Sequence, residues 1–159
     1  MRIRLKDKLL VSIQFLFFGC YIVDFGWSLG LYLFFKMVGL FFAIFGIIIS
    51  SLAVLQLNKN LSPFPTPKEN AVLLENGLYK YSRHPIYSGL LFLFFGYGIY
   101  TDSIYKLIVS FFLLLFFCFK SNYEERLLEN KFQKYTIYKQ RVGRFFPKIK
   151  ITSSDKTRG

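Results

Sequence analysis

The chain has 159 residues, of which 53% are hydrophobic and 21 are phenylalanine, and it carries a formal net charge of +12. This composition suits a bilayer and argues against a soluble domain, which would need a more polar surface. A basic charge in so apolar a chain is typical of loops that face an anionic membrane leaflet, so we expect membrane lipids as partners and no nucleic acid.

Two membrane spans are predicted in the N-terminal half. They cover residues 9–25 and 35–57, and the second is long enough to cross a hydrocarbon core of about 30 Å. Asp24, at the end of the first span, is interpreted as a loop residue because the turn-forming residues Gly26 and Ser28 follow it. A functional acid inside the membrane is the alternative interpretation of Asp24.

Small residues recur along the second span at alternating steps of four and three. They are Gly39, Ala43, Gly46, Ser50 and Ala53. This spacing places them on one face of a helix, where the absence of large side chains allows a neighbouring helix to approach closely. We therefore predict a tightly packed helix pair that involves the second span.

A polar linker follows the second span. It runs from residue 58 to residue 82 and contains three prolines, so it cannot continue the helix. Two apolar runs, residues 85–100 and 104–120, come next and predict an antiparallel helical hairpin. Because such a hairpin returns to the side on which it began, polar groups just before and just after it should lie on one membrane surface.

The C-terminal segment, residues 120–159, carries eleven Lys or Arg against four acidic residues. Its apolar residues recur at helical spacing and predict an amphipathic helix that lies along the membrane surface. These residues are Leu127, Leu128, Phe132, Tyr135, Tyr138 and Val142. Four spans would place this segment, the linker and the N-terminus together, and the positive-inside rule makes that side cytoplasmic. The prediction is an all-α, multi-pass integral membrane protein with about four transmembrane helices, in a single domain over residues 1–159.

One motif stands at the start of the third span. It reads Arg-His-Pro-x-Tyr-x-Gly from Arg83 to Gly89 and contains His84, the only histidine of the chain. Pro85 lacks an N–H and has a preset φ, so it fits the first position of a helix. Arg83 and His84 should then lie just outside a helix start, where unpaired N–H groups and the helix dipole favour an anion.

This motif resembles the isoprenylcysteine carboxyl methyltransferase family and its phospholipid methyltransferase relatives. The resemblance covers about residues 57–147 and includes the acidic pair Glu124–Glu125 after the next apolar run, then an aromatic segment that ends in Arg-x-x-Pro at Arg144 and Pro147. It implies a small membrane enzyme that transfers a methyl group from S-adenosylmethionine to a lipid-like or prenylated acceptor. It also implies that the cofactor is bound by the C-terminal half of the chain.

The resemblance implies a set of cofactor-binding residues, and no cluster of metal ligands is visible in the sequence. The set is Tyr79, Arg83, His84, Pro85, Tyr87, Gly89, Glu124, Glu125 and Tyr135. By charge, Arg83 matches the cofactor's carboxylate and either glutamate its ammonium, while aromatic rings match the adenine and the sulfonium. Arg83 and His84 are the candidate catalytic residues. His84 would act as a base if the acceptor is an amine or a thiol, whereas a carboxylate acceptor requires none.

Several alternatives stay open at this point. Considered alone, Arg83 fits a membrane anchor, His84 an interfacial side chain and Glu124–Glu125 a solvated helix face. The acceptor could be an isoprenylcysteine carboxylate, a phospholipid amine or a hydrophobic thiol, and the sequence does not indicate the oligomeric state. A membrane reductase that uses NADPH is a second enzyme hypothesis. A hypothesis from another class is a non-catalytic membrane partner. It is suggested by Leu78 and Gln133, which depart from the family pattern.

Overall fold

The computed structural model describes residues 4–58 and 62–148, and over these residues the chain is helical. The elements are α1 (Leu5–Ile22), α2 (Leu33–Leu57), a short 3-10 turn (Gly77–Lys80), α3 (Pro85–Tyr100), α4 (Ile104–Lys131) and α5 (Tyr135–Arg141). The predicted all-α class is therefore confirmed for the described part of the chain. The two ends of the predicted domain, residues 1–3 and 149–159, and linker residues 59–61 lie outside it.

The helix boundaries agree with the sequence where proline or turn residues mark them. α3 covers the predicted 85–100, and α1 begins four residues before and ends three residues before the predicted 9–25. α4 differs most, since it continues eleven residues beyond 120. The polar residues after 120 end the apolar run but are good helix formers, so charge marks the end of the predicted span and not the end of the helix.

The predicted C-terminal amphipathic helix is divided into two pieces. Its first residues belong to α4, the chain breaks at Phe132, and α5 is only seven residues long. Tyr135 and Tyr138 are buried in a cluster with Val142, against α4 and the linker residue Leu73, so these side chains face protein. The sequence predicted that this apolar face would lie along the membrane surface, whereas its tyrosines pack against protein. Helical spacing identified the apolar residues, but neither the break in the helix nor the surface on which they pack.

α2 and α3 pack closely through small residues. A Cβ added to Gly46 of α2 would lie 2.4 Å from the carbonyl oxygen of Gly89 in α3, and one added to Gly39 would lie 2.7 Å from that of Gly96. Such distances mean that the two backbones nearly touch. The predicted small-residue face is thus confirmed, and α3 is the helix that packs on it.

We expect Gly46→Val to destabilise the protein strongly. Its side chain would meet the α3 backbone, which cannot move aside as a flexible side chain can, and overpacking of this kind typically costs about 1–3 kcal/mol. Thermal unfolding in detergent measures the effect. Gly19→Val is the matched control, because no atom lies within 4 Å of a Cβ at Gly19 in α1. Equal melting temperatures for the two variants would contradict the close contact.

Two helices are long and apolar enough to cross a membrane in the part of the chain described, α2 and α4, and α3 is a shorter apolar helix. The outer face of α2 exposes large apolar side chains, among them Phe34 and Phe41, at 70% and 64% of their surface. An exposed apolar face of this extent is typical of contact with lipid.

Candidate active site

The Arg83–His84 motif is held in place by the C-terminal segment of the chain. The backbone N–H of Arg83 donates to the carbonyl of Gly143 at 2.9 Å, and that of His84 to the carbonyl of Arg144 at 3.0 Å. The Ser88 hydroxyl, in the first turn of α3, donates to the carbonyl of Phe145 at 2.6 Å. The two parts of the sequence pattern, which are about 60 residues apart, are therefore neighbours in the fold.

α3 starts as its proline predicts, with Pro85 in the first turn and His84 as the residue before it. The His84 imidazole is buried and lies parallel to the ring of Tyr87, with centroids 5.5 Å apart. Tyr87 in turn stacks on Phe117 of α4 at 4.5 Å. This stack fixes the imidazole at the junction between α3 and α4.

Glu125 is the centre of a buried ionic cluster. Only 1% of its side chain is exposed; it accepts a hydrogen bond from Arg83 Nε at 2.9 Å and forms an ion pair with Arg83 Nη2 at 2.8 Å. His84 Nε2 lies at 3.3 Å, Lys139 Nζ at 3.1 Å and Arg144 Nε at 3.7 Å. One carboxylate thus joins α4, α5, the motif and the C-terminal segment.

Glu124 faces a different environment from its neighbour. Its side chain is 15% exposed; it accepts a hydrogen bond from the Tyr87 hydroxyl, and His84 Nδ1 lies 3.4 Å from Oε2. Lys120 Nζ, one helical turn earlier, is 4.0 Å away. Glu124 is therefore more exposed and more distant from lysine and arginine than Glu125, which is enclosed by cations.

The two ring nitrogens of His84 face the two carboxylates. Burial by itself lowers the pKa of His84, but the hydrogen bonds and charges of Glu124 and Glu125 outweigh burial and raise the pKa above its ordinary value of 6.5. The protonated imidazolium is favoured because both nitrogens can then donate. His84 in this arrangement is poised to give a proton or to hold two carboxylates in place.

A cavity of about 380 Å³ adjoins this cluster, with the proline-containing linker forming one of its walls. Seven of the nine predicted site residues line it: Tyr79, Arg83, His84, Pro85, Tyr87, Glu124 and Tyr135. Glu125 is not among the lining residues and acts on them through Arg83 and His84. Gly89 is also not among them, because it packs against Ser50 of α2.

Some properties of the polar groups in the cavity were not identified from the sequence. Lys120 and Gln14 line it and contact each other, with Lys120 Nζ 2.6 Å from Gln14 Oε1. Tyr135 was identified, but not that its buried hydroxyl finds no hydrogen-bond partner among the described residues. Helical spacing could have identified Lys120, which precedes Glu124 by four residues, and Gln14 is an amide within an apolar run.

Comparisons with known proteins agree with this architecture. Among solved structures, the chain is similar to the eukaryotic intramembrane Ras methyltransferase, isoprenylcysteine carboxyl methyltransferase, with a TM-score of 0.67 and 23% identity. The alignment covers 89% of this chain and 50% of that protein, so the chain spans half the length of this relative. At this level of identity the likeness concerns the fold. The search of curated protein sequences gave no match.

The match to a family model is more extensive than the motif alone. A model described as phospholipid methyltransferase matches residues 34–135, which is more than half of the 159 residues. The matched region runs from α2 through the motif and the acidic pair to Tyr135. The chain belongs to the phospholipid methyltransferase family.

Proposed function

We propose that the protein is a methyltransferase that uses S-adenosylmethionine and acts on a lipid-like acceptor within the membrane. The observation that carries this proposal is the cavity, in which a carboxylate, a histidine and tyrosine rings converge beside helices with exposed apolar faces. Family membership supports methyl transfer over reduction by NADPH or a purely non-catalytic role.

The residues present fit a cationic methyl donor. When bound, S-adenosylmethionine supplies an electrophilic methyl group on a positively charged sulfur. Tyr79 and Tyr135 offer aromatic rings, which attract such a cation, and Glu124 offers a carboxylate oxygen. The cavity, at about 380 Å³, is within the range of roughly 300–1,000 Å³ that is common for small-molecule sites.

The two glutamates and Arg83 receive different roles. Glu124 lines the cavity and is proposed to bind the ammonium group of the donor. Arg83 contacts Glu125 through Nε and Nη2, and its Nη1 donates to the backbone carbonyls of Lys139 and Val142. These contacts favour a positioning role for Arg83, in which it holds Glu125 and α5, over the direct carboxylate contact that the sequence suggested.

We expect Glu124→Gln to weaken binding of S-adenosylhomocysteine, the demethylated donor, by about 1.5–3 kcal/mol, the usual scale for a hydrogen bond to a charged group. Titration calorimetry of the purified protein in detergent measures the change. Glu129→Gln is the control, since Glu129 lies on the same helix and pairs with Lys139 outside the cavity lining. Binding by Glu124→Gln equal to that of the parent would remove Glu124 from the site.

A four-span arrangement is proposed from the contacts at the two ends of the helix bundle. At the cavity end, the Thr66 hydroxyl donates to Asp7 of α1, and Lys120 Nζ lies 3.5 Å from the carbonyl oxygen of Pro63. At the other end, Asp24 pairs with Lys106 at 2.8 Å. α1 to α4 therefore alternate in direction, and with four crossings the linker and both termini lie on the cytoplasmic side by their positive charge.

Cysteine labelling tests this topology. We expect Asn70→Cys to react with a membrane-impermeant reagent only after the membrane is opened, because position 70 lies in the linker. Phe25→Cys, in the loop between α1 and α2, should react in intact cells. Both variants are made in a background with Cys20 and Cys118 replaced by serine. Labelling of position 70 from outside would contradict the proposed orientation.

The acceptor is proposed to enter from the bilayer, while the water-soluble donor enters from the aqueous side. Apolar groups far from the reacting atom would then help to position the acceptor. A head group on a short, soluble chain should accordingly react more slowly than the same head group on a lipid.

A further inference from the structure

Lys120 is a buried cation that projects into the cavity without a close counter-ion. Its side chain is 2% exposed, and its ammonium contacts the amide oxygen of Gln14 at 2.6 Å. The nearest carboxylate oxygen on the described residues is that of Glu124, at 4.0 Å. The ring of Tyr87 lies beneath the ammonium, with its centroid 5.4 Å from Nζ.

Other buried cations of the fold are neutralised more closely. Lys106 Nζ lies 2.8 Å from Asp24, and Arg83 Nη2 lies 2.8 Å from Glu125. A buried charge is costly unless an opposite charge and hydrogen bonds compensate for it. Lys120 contacts the amide of Gln14 and the ring of Tyr87, but its nearest carboxylate, that of Glu124, also binds Tyr87 and His84. A ligand carboxylate would therefore supply the close opposite charge that Lys120 lacks.

We propose that Lys120 is the carboxylate receptor of the cavity and that, with Glu124, it binds an α-amino-acid group. This inference rests on the proposed function, because the methyl donor carries such a group. Lys120 and Glu124 are one helical turn apart on α4 and present opposite charges to the same cavity. An ammonium beside Glu124 and a carboxylate beside Lys120 would match this pair.

The assignment also explains why Arg83 is not required for the carboxylate. Its guanidinium donates to Glu125 through Nε and to two backbone carbonyls through Nη1, and Nη2 forms an ion pair with Glu125. Lys120 donates to Gln14 Oε1 and has a longer contact, 3.5 Å, to the carbonyl of Pro63. An ammonium has three donors, so Lys120 retains capacity for a ligand.

The test compares two ligands that differ in the amino-acid group. S-adenosylhomocysteine carries it, and 5′-methylthioadenosine lacks it. We expect Lys120→Gln to weaken S-adenosylhomocysteine binding roughly 10-fold or more, the scale of a lost charged hydrogen bond, and to leave 5′-methylthioadenosine binding unchanged.

Two further variants serve as controls. Lys120→Arg, which keeps the charge, should preserve the preference for S-adenosylhomocysteine, and it keeps the test valid if the glutamine variant fails to fold. Lys131→Gln removes a charge from the exposed end of α4 and is the matched control.

A second arm distinguishes the source of the carboxylate. If Lys120→Gln leaves S-adenosylhomocysteine binding intact and instead abolishes the preference of the protein for oleate over oleylamine in the same detergent, the carboxylate belongs to the acceptor and the α-amino-acid assignment is overturned. No change in either arm, or equal weakening of S-adenosylhomocysteine and 5′-methylthioadenosine, would overturn the proposal. A parent protein that binds none of these ligands would instead refute the proposed function, and the assignment of Lys120 with it.

Discussion

Glu125→Gln is expected to destabilise the protein by about 3–5 kcal/mol, the usual cost of removing one partner from a buried ion pair. The variant leaves Arg83, whose side chain is 8% exposed, without a carboxylate at 2.8 Å, and it also removes the charge that faces His84 and Lys139. The same change should loosen α5 and the C-terminal segment, because Lys139 of α5 and Arg144 of the C-terminal segment both contact this carboxylate. Chemical unfolding in detergent measures the loss.

Glu129→Gln is the matched control for this prediction. Glu129 lies one turn later on α4 and pairs with Lys139 at 2.8 Å, but both side chains are about one-third exposed. Exposed pairs contribute about 0–1 kcal/mol, so this variant should unfold nearly as the parent does. If the two variants were equally stable, Glu125 would not be the centre of the ionic cluster.

His84→Gln is expected to lower the rate of methyl transfer by about 100-fold, a typical effect of misplacing groups that must be held in reacting geometry. The imidazolium holds Glu124 through Nδ1 and Glu125 through Nε2. Glutamine lacks a ring with donors on two sides, so it cannot hold both carboxylates in this way. Binding of S-adenosylhomocysteine should fall less than the rate, since Glu124 itself remains.

The pH dependence distinguishes this positioning role from a base. The pKa of His84 is raised in the folded protein, so its stabilising contribution is complete below its ordinary value of 6.5 and is lost as pH rises through the folded value. Glu124, Glu125, Tyr87 and Phe145 face the ring. We therefore expect the parent's rate to fall as His84 deprotonates. A rate that rises through this pKa would identify His84 as a base and favour an amine or thiol acceptor.

Local sequence rules predicted the parts of the fold that depend on neighbouring residues. Pro85 fixes the start of α3, the small residues around Gly46 determine the face on which α3 packs, and the apolar runs give the hairpin. The position of the motif beside the acidic pair followed from that hairpin. These features could be predicted because helical periodicity and proline geometry act over only a few residues.

The pairing of charges could not be predicted in the same way. The sequence shows Arg83, Glu124 and Glu125 but not that Arg83 binds Glu125 and leaves Glu124 to the cavity, since both glutamates follow the same span. The role of Lys120 depends on Gln14, which is 106 residues away. The docking of Gly143 beside Arg83 likewise depends on tertiary contacts that no local pattern encodes.

Transfer of a labelled methyl group tests the central claim most directly. Purified protein in detergent is incubated with methyl-labelled S-adenosylmethionine and a total membrane lipid extract, with the Glu124→Gln variant run in parallel. We predict label in the organic phase for the parent and strongly reduced label for the variant. Tight binding of S-adenosylhomocysteine by the parent with no label in any lipid fraction would contradict a methyltransferase that acts on membrane lipids.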